Sequence, residues 1–481
     1  MYYKPVLRIM GIFLMLHSLA LIPPLGISLF LNDGQLSDFL YTFVLASGSG
    51  LLLWFFFRHA RQELRRHQGF LIVAAFWLVL SAMSSVPFII GPHLDFIDAF
   101  FEATSAFTTT GATVMTGLDD LPKSVLFYRQ ELQWFGGMGI IVVAVAILPL
   151  LGIGGMQLYR AETPGPFKDE KITPRIAHTA RSFVFIYAGM TALCVIAYAL
   201  AGMSFFDALT HSFATVSTGG FSTHDASIAH YTNLPIEIIT EIFMFLGALN
   251  FSVHFLAIHK RSPKHYWLNP EIRVFTIVIA GVILLCSLVL TIHNTYPSFL
   301  TSLRYASFQT ISIITSTGYL TENFAGWPVF LPVLMIFISF IGGCSGSTAG
   351  GMKVIRYILL FKQGQRQILG LIHPSLIRPI KLDGRVVTES VTNSVWGFFS
   401  LYVAIFAVAM LLLMLGGTDQ VTAFSAVAAT LNNLGPGLGG VTSNFQGIPD
   451  WDKLVLTLCM LLGRLEIFTL LILFAPSFWR R

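Results

Sequence analysis

Hydroxyl-bearing residues and glycine recur in one short pattern at four places. The copies are Thr108-Thr109-Thr110-Gly111-Ala112-Thr113, Ser217-Thr218-Gly219-Gly220-Phe221-Ser222, Thr315-Ser316-Thr317-Gly318-Tyr319-Leu320 and Asn432-Asn433-Leu434-Gly435-Pro436-Gly437. The chemistry open to such a set is coordination of a cation by neutral oxygens. A cation that sheds its water needs replacement ligands, and extended backbone supplies them when its carbonyls point inward. Glycine permits the dihedrals required, positive φ included, and Thr and Ser add hydroxyl oxygens. None of the four turns contains Asp or Glu, which favours a monovalent over a divalent ion. The filter residues on this reading are Thr109, Thr110, Gly111, Thr218, Gly219, Thr317, Gly318, Leu434 and Gly435. A single Thr-Gly turn would be just a turn. Four copies, spaced by roughly 100 residues and each closing a short apolar run, mark an internal duplication. The fourth copy departs from the others, with Asn433-Leu434 before Gly435. A ring built from these turns is pseudo-fourfold and is expected to discriminate one monovalent cation from its neighbours less sharply than four identical loops.

The elements that must hold these turns lie in a bilayer. Of 481 residues, 55% are hydrophobic and 11% charged, against about 25% charged in soluble domains. Ten stretches suffice to span, at about 20 residues each: 9–31, 38–57, 70–92, 128–152, 182–202, 236–258, 272–293, 328–360, 393–416 and 453–476. The first lacks a small-residue cleavage site and reads as a retained span. Lys and Arg cluster at 58–66, at Arg160, Lys168, Lys171 and Arg175, at Lys260, Arg261 and Lys264, and between Lys362 and Arg385. These basic connections alternate with connections poor in Lys and Arg, which puts both termini in the cytoplasm. Cys194, Cys286, Cys344 and Cys459 have no metal-like spacing and read as packing residues.

The runs Ile97–Ala106, Phe206–Ala214, Leu303–Ile313 and Thr422–Leu431, at about ten residues, are too short to cross. Each precedes one of the turns and reads as a re-entrant half-helix. Irregular backbone survives at that depth only where protein or a water-filled cavity surrounds it. The expected fold is therefore an all-α polytopic membrane protein. Four tandem units of helix, half-helix, filter and helix, at 69–165, 166–265, 266–388 and 389–481, surround one pseudo-fourfold pore, and residues 1–68 form an extra two-helix hairpin. Glu102, Asp119 and Asp120 lie near the first turn, either concentrating cations at the mouth or forming ordinary surface.

After each turn a second small-residue site follows: Phe135-Gly136-Gly137-Met138, Leu246-Gly247-Ala248-Leu249, Ile341-Gly342-Gly343-Cys344 and Leu462-Gly463-Arg464-Leu465. Arg464 stands where the other copies carry Gly or Ala. An arginine mid-span must face a cavity or a partner; it either reaches into the pore as a barrier to cations or packs against an acid. Glu466 is a poor partner from its own helix, because positions two apart do not face each other. The third copy continues through Ser345-Gly346-Ser347-Thr348-Ala349-Gly350-Gly351, a weak helix at about 1 kcal/mol per glycine relative to alanine. It reads as a break in the helix. Gly343, Gly346, Ser347, Gly350 and Arg464 are the candidate gate.

Taken together, the four turns, the glycine-rich loop and Arg464 resemble the TrkH/KtrB/HKT superfamily of potassium transporters over essentially the whole chain. The two extra N-terminal spans and the third-copy loop are most similar to the membrane subunits of bacterial Trk systems. The resemblance implies K+ at the filter residues, with Rb+ also accepted; some plant sodium transporters of the superfamily carry serine at the first filter glycine, where this chain has Gly111. It further implies a homodimer in a bacterial inner membrane and a cytosolic TrkA-like partner, a ring of domains responding to NAD, ATP and ADP. The chain itself has no Gly-rich dinucleotide fingerprint or phosphate loop, so nucleotide is expected on the partner and no cofactor in this chain. The basic segment Lys362–Arg385 is a candidate docking surface or simply an orientation signal. A proton- or sodium-coupled potassium symporter is the alternative; Glu131, Glu241 and His254 could carry protons, but none recurs among the copies. Nothing resembles a nucleophile or metal constellation of an enzyme.

Overall fold

The computed structural model describes residues 3–60, 66–142, 172–374, 379–382 and 384–479. The expectations for Arg61, Arg65, Arg160, Lys168, Lys171, Arg378, Arg480 and Arg481, and for the end of the span 128–152, lie outside the described residues.

Among the described residues, six helical segments are long and apolar enough to cross a membrane: Lys4–Leu31, Leu36–Phe57, Gln68–Ile90, Thr179–Leu200, Pro270–Ile292 and Glu389–Leu415. Large apolar side chains such as Phe30, Leu200 and Leu415 stand almost fully exposed on them, as suits surfaces solvated by lipid. The first segment is two helices, Lys4–Ala20 and Ile22–Leu31, with Pro23 and Pro24 opening the second. Proline in a helix's first turn removes only a donor that would be unpaired there anyway. Lys4–Ala20 packs backbone to backbone on Leu36–Phe57: a Cβ on Gly11 would lie 2.7 Å from the Gly50 carbonyl, and one on Gly50 2.8 Å from that of Gly11. Small residues allow such approaches where lipid gives no hydrophobic drive.

Four shorter helices, Phe96–Phe107, Phe205–Val216, Phe299–Ile314 and Gln420–Leu431, sit inside this shell. Three carry side-chain N-caps. Ser204 accepts from the Asp207 amide, Ser298 from Thr301, and Asp419 from Val421 and Thr422, each meeting donors that helix geometry leaves unpaired. Each short helix packs on the helix that follows it, and that following helix packs on the next short helix. Lys123–Val142 touches Phe205–Val216, Leu234–Gly247 touches Phe299–Ile314, Phe330–Ser339 touches Gln420–Leu431, and Asp450–Arg464 returns to Phe96–Phe107. The sequence of contacts closes on itself.

Three of the expected spans are broken by an irregular stretch or a sharp bend. The segment expected at 328–360 is Phe330–Ser339, an irregular stretch from Phe340 to Lys353, and then Val354–Ile372, which is the break read from its glycines. The segments at 236–258 and 453–476, expected as spans, are sharply bent. Leu234–Gly247 and Phe251–His259 meet at 97°, and Asp450–Arg464 and Phe468–Phe474 at 109°. At the first bend Asn250 caps the new helix by accepting from the Ser252 amide. At the second, Glu466 and Ile467 both take positive φ, 54° and 56°, a rare conformation for a β-branched residue. Hydropathy reports composition and is blind to both devices. Beyond the helices, Lys381–Leu382 and Arg385–Val386 pair as a two-residue antiparallel ladder in the connection before Glu389–Leu415.

Candidate functional site

The four short helices end alike. At the first, the amides of Thr108, Thr109 and Thr110 donate to the carbonyls of Thr104, Ala106 and Ser105. The same three bonds recur from Ser217, Thr218 and Gly219, from Thr315, Ser316 and Thr317, and from Asn432, Asn433 and Leu434. The middle residue of each trio is left-handed, with φ of 54° at Thr109, 52° at Thr218, 53° at Ser316 and 52° at Asn433. Two residues on, φ is positive again, at Gly111, Gly220, Gly318 and Gly435. This register corrects one residue. The counterpart of Gly111 is Gly220; Gly219 stands in the place of Thr110. The four hexapeptides, aligned from Thr108, Ser217, Thr315 and Asn432, also place Gly220 beside Gly111, in agreement with the backbone dihedrals.

These four glycines meet their neighbours in cyclic order. A Cβ on Gly111 would overlap the Gly219 carbonyl oxygen, one on Gly220 that of Thr317, and one on Gly318 that of Leu434. One on Gly435 would lie 2.8 Å from the oxygen of Thr110. The carbonyls of Thr110, Gly219, Thr317 and Leu434 thus form a ring, each packed on the glycine of the adjoining turn. Above it opens a cavity of about 80 Å³ whose lining includes Gly111, Gly220, Gly318 and Gly435 together with His224 and Asp225.

Buried polar side chains hold the turns from behind. Gln133 donates to the Gly219 oxygen (2.6 Å) and accepts from the Phe221 amide (3.2 Å). Glu102 is fully buried, paired with Arg129 at 2.7 Å, and accepts from Thr113 Oγ1 and the Val114 amide. It is therefore neither mouth charge nor surface but the brace of the strand after the first turn, while Asp119 and Asp120 are exposed. Arg129 also donates to the Ser222 carbonyl and lies over the Phe221 ring, joining the first two turns. Removing one partner of a buried pair costs about 3–5 kcal/mol. Arg129→Met is expected to lower the melting temperature of the purified protein accordingly, whereas a melting curve unchanged from wild type would mean that this brace is not structural. The fourth turn is tied by Asn433, which donates to Thr110 Oγ1 (2.9 Å) and the Met460 carbonyl (3.0 Å).

Beneath the turns lies the irregular stretch of the third broken helix. Cys344 and Thr348 donate to the carbonyls of Ala248 and Gly247, and Thr348 Oγ1 reaches the Val216 oxygen and Thr218 Oγ1. The Gly350 amide meets Ser316 Oγ, the Gly351 amide donates to the Asn432 oxygen, and Gly350 has no room for a Cβ beside that oxygen. Gly343 packs on Ala248, Gly346 lies beside Asn250, and Ser347 donates to the Cys344 carbonyl. The stretch thus sits under turns two, three and four. Arg464 fills the first side. It is buried, with Nη1 on the Thr348 carbonyl at 2.8 Å, Nη2 on the Gly136 carbonyl at 3.4 Å and its guanidinium 5.8 Å from the Trp77 ring centroid. Glu466 instead pairs with Arg356 at 2.6 Å. Glu271 accepts from the amides of Ser345 and Ile355 and so pins both ends of the stretch.

Gln133, Arg129, Thr348 and Glu271 escaped sequence reading because none recurs among the copies and each acts on residues far away in the chain. The proton candidates stand apart from the ring. Glu241 accepts from Ser307, His254 lies between the Tyr266 hydroxyl and the Leu246 carbonyl, and Glu131 is buried in Lys123–Val142. All four cysteines are free and buried.

Comparison with known proteins gives a consistent result. The family described as "TrkH: Cation transport protein" matches residues 35–481. The chain is 52% identical to the Trk system potassium uptake protein TrkH of Vibrio parahaemolyticus and 50% identical to that of Escherichia coli, over 100% of both chains in each case. It is 40% identical to the Trk system potassium uptake protein TrkG of Escherichia coli, over 99% of each chain. The crystal structure of the potassium transporter TrkH from Vibrio parahaemolyticus superposes with a TM-score of 0.93 at 49% identity, covering 100% of both chains.

Proposed function

The chain belongs to the TrkH family of cation transport proteins, and on that premise we propose that it takes up potassium by channel-like permeation through a filter made of its four turns. The observation that carries this reading is the closed ring of carbonyls from Thr110, Gly219, Thr317 and Leu434, each backed by the next turn's glycine. A dehydrated monovalent cation finds there the neutral oxygens it needs. Potassium, with rubidium, is the ion that the relatives' names and the glycine at position 111 favour. The four helix–turn–helix units form one pseudo-fourfold pore, beside the hairpin of the first 68 residues.

The gate is the glycine-rich stretch with Arg464. In a site of low dielectric a fixed positive charge opposes a cation by several kcal/mol. The stretch also fills the space below three turns through backbone bonds that glycine makes easy to rearrange. Opening is withdrawal of the stretch with loss of the Arg464 to Thr348 bond. The protein sits in a bacterial inner membrane with both termini cytoplasmic, as its basic connections favour. It works as a homodimer under a TrkA-like cytosolic subunit that binds NAD and ATP or ADP.

Rubidium uptake into sealed vesicles holding the purified protein tests this function. Uptake is expected to follow the potassium or rubidium gradient alone. Uptake that requires an imposed proton or sodium gradient would make the protein a coupled symporter instead.

A further inference from the structure

On the face of the ring that carries the open cavity, three side chains converge that filter and gate leave unused. Asp119 stands on the short helical turn Leu118–Asp120, His224 follows the second turn, and His230 closes the helical turn Ser227–His230. One ligand atom from each lies within 4.8 Å of the others. His224 Nδ1 is bonded to the Asp119 carboxylate, which this contact holds below its ordinary pKa. His224 Nε2 is buried, has no hydrogen-bond partner and lies 3.8 Å from Asp207 Oδ1. The His230 ring stacks on that of His224, planes parallel and centroids 3.5 Å apart.

From this cluster we infer that the outer mouth carries a binding site for a divalent transition cation, with zinc as the best-suited ion, and that its occupancy slows cation entry. Two imidazoles and one carboxylate are a zinc donor set, completed by water as the fourth ligand. Tetrahedral zinc with bonds of about 2.0–2.1 Å needs its ligand atoms about 3.3 Å apart, within reach of the present spread. The parallel rings must first unstack. His230 is exposed, so it can turn about its side-chain bonds to bring a nitrogen beside His224 Nδ1 and Asp119. The ion then takes the place of the proton between His224 and Asp119.

The consequence for transport follows from position. His224 and Asp225 line the cavity that the four ring glycines also line. In the free protein Asp119, Asp207 and Asp225 give this rim a negative charge that draws cations in. A bound divalent ion offsets most of that charge next to the entrance and so weakens the attraction for the permeant ion. The effect on flux rests on the pore reading; the binding does not.

The test pairs zinc titration by calorimetry with rubidium uptake in vesicles given zinc on the outside only, for wild type, His230→Ala and Asp119→Asn. The expected result is one zinc per chain and inhibition of uptake over the same concentration range. Both should weaken by at least about tenfold in each variant, with uptake in the absence of zinc unchanged in His230→Ala. Absence of saturable zinc binding, or equal binding by wild type and both variants, overturns the site. Zinc that binds yet leaves uptake unaltered overturns its role at the mouth. Should wild type without zinc pass no rubidium, the pore reading fails, and the titration still decides the site by itself.

Discussion

Replacing Gly220 by alanine is expected to reduce rubidium uptake to the level of protein-free vesicles, whereas Gly219→Ala reduces it only in part. At Gly220 φ is 77° and a Cβ would overlap the Thr317 carbonyl oxygen. The left-handed backbone alone costs about 1–2 kcal/mol for a residue with a side chain. The obstacle is backbone from the neighbouring turn, so relief requires moving one of the four ring oxygens. At Gly219 φ is not positive, and the atoms in the way, 2.5 Å from a Cβ, belong to the end of the Gln133 side chain. That amide can shift at the expense of its bonds to the Gly219 oxygen and the Phe221 amide. Two bonds at about 1 kcal/mol each correspond to a roughly ten- to thirtyfold loss. The reverse ranking, with Gly219→Ala the more damaging, would show that Gly219 and not Gly220 is the counterpart of Gly111.

Arg464→Ala is the second change with a large consequence, and it acts in the opposite direction. Arg464 lies at the junction of the glycine-rich stretch and Lys123–Val142, holding the carbonyls of Thr348 and Gly136. Its Nε has no hydrogen-bond partner, and among the described residues no acid forms an ion pair with it; Glu466 is engaged with Arg356. On the proposed reading, the substitution removes an uncompensated charge from the ion path and unties one end of the gate. A charge 4 Å away opposes a cation by about 4 kcal/mol at an effective dielectric of 20. Even a third of that raises rubidium uptake about tenfold, and an increase of that order is expected. Arg464→Lys keeps the charge without the planar fork and should stay close to wild type in flux. Folded Arg464→Ala protein with unchanged or lower uptake would mean that the arginine packs helices and does not restrain ions.

The legibility of this chain follows the kind of signal each feature leaves. The four turns were readable because Thr and Gly recur after short apolar runs, and a recurring pattern survives without any knowledge of contacts. The glycine-rich break was readable because seven residues from Gly346 to Met352 include three glycines in an apolar setting. The bends at Asn250 and at Glu466-Ile467 were not, since a hydropathy window averages over a single capping asparagine or two left-handed residues. The brace of Glu102 by Arg129 was not readable, and both readings of Glu102, mouth charge or ordinary surface, miss it, because burial is a property of the surroundings and both residues belong to otherwise ordinary helices. Arg464 was conspicuous as a charge in an apolar run, but its partners are carbonyls 116 and 328 positions away, beyond any local pattern. The zinc-type cluster joins residues from two different connections, Asp119 from one and His224 and His230 from the other, a proximity created only when the first two turns meet.

The account stands on the claim that the four turns together hold one dehydrated cation. Anomalous diffraction from crystals grown with thallium or rubidium in place of potassium locates such an ion by its own scattering. The predicted result is a peak on the axis of the ring, coordinated by the carbonyl oxygens of Thr110, Gly219, Thr317 and Leu434 and abolished by Gly220→Ala. Crystals of wild-type protein with the ion bound elsewhere, and nothing between those four oxygens, would contradict it.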